Sequence, residues 1–185
     1  MIIGITGSLG AGKGTIVDFL KTKGFVHFSS TEDVINKEIV RRGLPINRDS
    51  MVLIGNDLRK KHGPGYIAEE LLRMAEETGK DAVFESIRTE GEIIALRKKG
   101  NCVMFAVDAD QRTRYDRIIK RKELGKDNIS FEKFQEQEAI EMTSKDPWKQ
   151  NLSRCIEISD YKFMNDDNFE ELYEKIEKVL ENTKK

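Results

Sequence analysis

The run Gly7-Ser8-Leu9-Gly10-Ala11-Gly12-Lys13-Gly14-Thr15 constrains this chain more than any other stretch. A short apolar, β-branched segment, Met1-Ile2-Ile3-Gly4-Ile5-Thr6, precedes it, and Ile16, Val17, Phe19 and Leu20 follow at helical spacing. The order is therefore strand, glycine loop, helix, the context in which G-x-x-x-x-G-K reads as a phosphate cradle. Glycines let the backbone curl so that successive N–H groups point at one anion. The helix N-terminus adds about half a positive charge there, and Lys13 adds a full one. Gly7, Gly10, Ala11, Gly12, Lys13, Gly14 and Thr15 are the expected nucleotide-phosphate contacts.

The rest of the chain alternates short buried strands with helices. Strands are expected at 1–6, 25–28, 81–85, 102–107 and 161–164. Helices are expected at 13–23, from about 31 to Arg42, from Asp49 or Ser50 to Lys61, and from Tyr66 to Glu77. Others follow at 89–99, 111–122 and 130–143, one begins at Pro147 and carries Trp148, and the last bears Phe169, Leu172, Ile176, Val179 and Leu180 on one stripe. Thr89-x-x-Glu92 is a capping-box pattern. Strands separated by helices imply an α/β chain with a parallel sheet covered on both faces, and ligands bind such sheets beyond the carboxyl ends of the strands. The glycine loop, Ser29 and Glu85 all fall at that edge.

Length and charge narrow the class. A chain of 185 residues with no linker or repeat is expected to form a single domain, 1–185. Charged residues are 35% and hydrophobic ones 38%, with a net charge of −1, which fits a soluble protein and argues against a general nucleic-acid binder. No leader or membrane-length apolar run is read at the start or elsewhere. Cys102 and Cys155 have neither metal spacing nor a C-x-x-C pattern, as expected of reduced thiols in a cytoplasmic protein. The partner called for is a small molecule, with neither nucleic acid nor membrane; the oligomeric state is left open.

Two further clusters suit phosphoryl transfer, in which catalysis is mostly positioning and neutralisation of spreading charge. Glu85, at a strand end, can help hold Mg²⁺, and Arg88, three residues on, can clamp a second phosphate with its planar fork. On helix 111–122, Arg114, Arg117 and Arg121 fall within about 60° of one another, a stripe expected to close on the transferring phosphoryl group.

Together these residues resemble the P-loop nucleoside monophosphate kinases, the group that includes adenylate kinases and the related dephospho-CoA kinases. Gly7–Thr15 is similar to the adenylate-kinase loop. His27-Phe28-Ser29-Ser30 falls where that family enters its monophosphate-binding helix, Glu85-Ser86-Ile87-Arg88-Thr89 resembles its Asp-Gly-Phe-Pro-Arg-Thr, and Asp160-Tyr161 with Asn165 resembles the end of dephospho-CoA kinases. The resemblance implies a three-layer fold with sheet order 2-3-1-4-5, ATP and Mg²⁺ as cofactors, a helical acceptor-binding insertion at about 30–75 and a short lid at about 121–130. It implies transfer to a nucleoside or deoxynucleoside monophosphate, with Ser29, Arg59, Arg88 and Glu92 as acceptor-site residues and Thr15 and Glu85 at the metal. The alternatives are phosphorylation of a ribose hydroxyl, as in dephospho-CoA kinases, or a regulatory ATPase. The chain departs from the family in three places. Gly14 stands where a metal-binding hydroxyl is usual, Ile35 where an arginine is expected, and Glu92 where the family reads adenine with glutamine.

Overall fold

The computed structural model describes residues 1–120, 129–166 and 169–183. Five strands, β1 (Ile2–Gly7), β2 (Val26–Ser29), β3 (Ala82–Glu85), β4 (Cys102–Asp108) and β5 (Tyr161–Met164), form one sheet in the order β2-β3-β1-β4-β5. Every pairing is parallel. The expected fold class and strand order are those observed.

Side-chain alternation builds the two cores. Ile3 and Ile5 of β1, Val83 of β3 and Phe105 and Val107 of β4 point to one face, where they meet α1 (Lys13–Thr22) and α9 (Phe169–Thr183) through Ile16, Leu20, Leu172 and Ile176. Ala82, Phe84 and Met104 point to the other, beneath α2 (Asn36–Arg41), α3 (Arg48–His62), α4 (Tyr66–Thr78) and α5 (Glu90–Lys99). Strands buried on both faces read as continuous apolar runs for this reason. Each fully buried Leu, Ile or Phe contributes about 1.5–3 kcal/mol.

Most element boundaries match the sequence expectation to within about two residues, the usual uncertainty of helix ends. Three places differ. The segment after β2 opens as a π-helical turn, Ser30–Ile35, before α2 begins. α3 starts earlier than expected, because its cap is Asn47 in place of Asp49 or Ser50, with the Asn47 side-chain oxygen accepting the Ser50 N–H at 2.9 Å. Pro147 does not start a helix: Pro147 and Trp148 lie in a turn, and the next helix, α8 (Leu152–Glu157), is capped by Asn151. The Asn151 amide donates to the Arg88 carbonyl at 3.0 Å, so a tertiary contact sets that start. Between β4 and α8 lie α6 (Gln111–Lys120) and α7 (Phe131–Met142). Most of the expected lid, 121–130, lies outside the described residues.

Parallel register brings the functional segments to one edge. Ser29 pairs with Glu85, Ile5 with Glu85, and Gly7 with Val107. The carboxyl ends of β1, β2 and β3 are therefore neighbours, although they are separated by tens of residues in sequence.

Candidate active site

The glycine loop leaves β1 and turns directly into α1. Gly7, Gly10 and Gly12 have φ of 141°, 80° and 94°. At Gly12 a Cβ would fall 2.0 Å from the Asn165 amide nitrogen, at a φ that side chains rarely adopt. That nitrogen donates to the Ala11 carbonyl at 2.9 Å, so the residue after β5 holds the loop shut from behind. Lys13 folds its ammonium back over the loop and donates to the carbonyls of Gly7 and Ser8, both at 2.9 Å. Gly14 opens the first turn of α1 with no atom within 4 Å of where a side chain would start.

Among the described residues, two clefts meet this loop. The first, about 290 Å³, is lined by Gly12, Thr15, Arg117, Lys120, Asn165 and Phe169. The second, about 710 Å³, lies on the other side and includes Leu9 of the loop, an apolar wall of Ile35, Ile46, Met51 and Val52, and a polar wall containing Arg48, Arg59, Arg88, Gln137, Glu141 and Gln150. The second cleft is built from the helices after β2 together with α7, so residues about 100 positions apart share it.

Arg88 and Arg59 are both among the residues lining the large cleft. Arg88 donates to Glu141 at 2.8 Å and to the Gln150 carboxamide oxygen at 2.9 Å. Arg48, which the sequence reading did not single out, donates to the other Glu141 oxygen at 2.7 Å. Burial pushes the Glu141 carboxyl up, but Arg88 and Arg48 outweigh it and hold the group below the ordinary carboxylate range. The signal for Arg48 was weak: it begins α3 behind Asn47 and reads as an ordinary surface residue.

Glu92 does not face the cleft. It is 0% exposed. One carboxylate oxygen accepts from Arg59 at 2.9 and 3.0 Å, and the other from the Arg88 and Thr89 amides at 2.8 and 3.0 Å. Its geometry is that of the capping-box acid of α5 and the anchor of Arg59, which corrects the expectation that it reads a base. Ser29 caps the turn after β2 by accepting the Glu32 amide at 3.2 Å and is 5% exposed.

The arginine stripe divides. Arg114 is buried and points at Glu138 of α7, with its Nε donating to the Ala109 carbonyl at 2.9 Å. Its Nε also lies 3.3 Å from an Asp108 carboxylate oxygen, and Nη1 reaches the Leu9 carbonyl at 3.4 Å. It ties α6 and α7 to the loop rather than presenting charge to a ligand, a correction to the expected phosphoryl contact. Arg117 lines the small cleft and donates to the Asn165 and Asp166 carbonyls at 2.7 and 3.1 Å. Helical spacing placed both on one side, but the acids that divide them belong to another helix. Arg121 lies outside the described residues.

Glu85 ends β3 beside the loop, with its carboxylate 3.1 Å from His27 Nε2. Burial raises its pKa, but the His27 hydrogen bond and the Lys13, His27 and Arg88 charges prevail, keeping it below the ordinary range. Mg²⁺ takes one or two carboxylates, keeps several waters and completes its shell with substrate phosphates. An ionised Glu85, the Thr15 hydroxyl and the open space at Gly14 fit that requirement, and among the described residues no three-residue metal cluster competes with it.

No family model matches the chain. It is 28% identical over 184 residues to a UPF0200 protein of Methanocaldococcus jannaschii, covering 98% of this chain and 89% of that one. A UPF0200 protein of Sulfurisphaera tokodaii is 27% identical over 181 residues, covering 97% and 95%. Among solved structures, TT1252 from Thermus thermophilus superposes with a TM-score of 0.61 at 18% identity, covering 98% of this chain and 97% of that one. Shikimate kinase from Bacteroides thetaiotaomicron gives 0.61 at 11% identity, covering 98% of each. The fold is that of the P-loop kinases. No helix among the described residues is long and apolar enough to cross a membrane.

Proposed function

We propose that this protein is an ATP-dependent kinase that transfers the γ-phosphoryl group to a nucleoside or deoxynucleoside monophosphate. The observation that carries the reading is the placement of two separate clefts on one phosphate loop, Gly12 and Thr15 facing the smaller and Leu9 the larger. A switch or a simple ATPase needs one nucleotide site. A transferase needs a second, for an acceptor.

In this reading the loop amides and Lys13 hold the ATP phosphates, and the base and sugar extend along Arg117 and Asn165. Lys13 exchanges its contacts with the Gly7 and Ser8 carbonyls for phosphate oxygens. Thr15 and Glu85 would hold Mg²⁺, which supplies charge neutralisation at the phosphates. Arg88 and Arg48 receive the acceptor's anionic group, and Arg59, stiffened by Glu92, backs that wall. The apolar wall takes the flat base. Both reacting groups are thereby aligned across Leu9, which is most of what phosphoryl transfer requires. The names of the structural neighbours, shikimate kinases among them, are consistent with small-molecule phosphorylation.

The test is ATP and Mg²⁺ against a panel of ribo- and deoxyribonucleoside monophosphates and dephospho-CoA, following ADP and products. Transfer to a monophosphate is the expected result. Product from dephospho-CoA alone would move the acceptor to a hydroxyl, a group that benefits from a general base. ATP turnover indifferent to every acceptor would exclude the kinase reading.

A further inference from the structure

Glu141 of α7 joins the two arginines of the large cleft. Its Oε1 accepts from Arg48 Nη2 at 2.7 Å, and its Oε2 accepts from Arg88 Nη1 at 2.8 Å. Arg48 opens α3, whereas Arg88 lies between β3 and α5, so no shared element of secondary structure fixes one against the other. Among the described residues, no other side chain hydrogen-bonds to both.

The contacts leave most of each guanidinium for a ligand. Arg88 Nη1 also donates to the Gln150 oxygen at 2.9 Å, so one terminal nitrogen of each arginine carries all its hydrogen bonds among the described residues. A guanidinium has five N–H donors on three nitrogens, and both arginines line the large cleft. Side-chain exposure falls from 29% at Arg48 to 17% at Arg88 and 8% at Glu141. The carboxylate is therefore the deepest of the three, behind the two cations. Two converging guanidiniums repel each other, and ordering long side chains only when a ligand arrives weakens its binding. A buried carboxylate between them removes both costs in advance.

We propose that Glu141 is a positioning residue, which holds Arg48 and Arg88 as a preformed two-arginine clamp for the acceptor's phosphate. This rests on the assignment of those arginines to the acceptor's anion in the reading above. The sign of the effect is diagnostic. Coulomb attraction alone makes loss of a negative charge beside the clamp tighten anion binding. Loss of positioning makes it weaken.

The probe is inorganic phosphate, followed by NMR at the Nε–Hε signals of Arg48 and Arg88, which report on this site and not on the glycine loop. Assignment uses Arg48→Lys and Arg88→Lys, and thermal melts check each variant. In the ligand-free wild type both side chains should show hindered rotation about Nε–Cζ. Glu141→Gln should release it and weaken phosphate binding at both signals about tenfold. The KM of the acceptor should rise while that of ATP stays unchanged, which a general loss of structure would not produce. Free rotation in the ligand-free wild type overturns the inference, and that measurement needs no Glu141 variant. A folded Glu141→Gln that binds phosphate as tightly as the wild type, or more tightly, also overturns it, since the carboxylate would then merely occupy the anion's place. Wild-type signals that ignore phosphate, in a protein that transfers to a monophosphate, overturn this inference and leave the kinase reading standing. The expected phosphate responses in a protein that transfers to no acceptor support the clamp and remove the kinase reading.

Discussion

Arg59 on α3 and Glu92 on α5 form an ion pair at 2.9 Å with both side chains shut away from water, 1% and 0% exposed. Two residues that the sequence places separately at the acceptor site are thus joined to each other. Removing one partner leaves a buried charge. Arg59→Leu should therefore cost about 3–5 kcal/mol of stability, read as a lower urea midpoint. Glu92→Gln should lose stability too, because the same carboxylate accepts the Arg88 and Thr89 amides. Unchanged midpoints would show that the pair is not formed in solution.

Gly12 and Gly14 should respond oppositely to a side chain. Gly12→Ala places a Cβ against the Asn165 amide at a positive φ, so nucleotide affinity and melting temperature should both fall. Gly14→Ser has open space and restores a hydroxyl beside Lys13. Isothermal titration with ATP should show a lower Mg²⁺ requirement for this variant, at little cost in stability.

Lys13→Ala removes the charge that would meet the ATP phosphates. Loss of one such preorganised contact typically costs about 10²–10³ in kcat. Single-turnover assays should show at least that, with the circular dichroism spectrum unchanged.

Arg114 is a strut in this structure, so Arg114→Ala should act first on folding. The expected loss is about 3–5 kcal/mol, from the Glu138 charge left buried on α7. Chemical denaturation distinguishes this from a variant that is normally stable and merely slow.

Glu141 gives stability a pH dependence. Its pKa lies below the ordinary 4.5 in the folded state. Its contribution is therefore fully present above the unfolded value and is lost as pH falls through the lowered folded one. Below about pH 4.5 the wild type should lose stability more steeply than Glu141→Gln, and at pH 7 it should be the more stable of the two. Melting curves between pH 3 and 7 decide this.

The sequence by itself determined the phosphate loop, the five strands and most helix limits. These features are local: glycine spacing, apolar alternation and caps such as Thr89 act within a few residues. It also brought Arg88 and Glu85 to the correct edge, because parallel strands have only one carboxyl end. The tertiary structure decided what the charges do. Arg114 and Arg117 share a helix face, yet one is neutralised by Glu138 and the other lines the small cleft. Glu92 reads equally as a base contact or a cap until Arg59 is seen beside it. Arg48, Gln137 and Glu141 belong to the site because α7 folds over the α3 segment, a contact spanning about 90 positions. A side chain's charge is written in the sequence, but its partner, and hence whether that charge is available to a ligand, is set by packing between segments that no local pattern connects. That is why the loop was legible from the start and the large cleft was not.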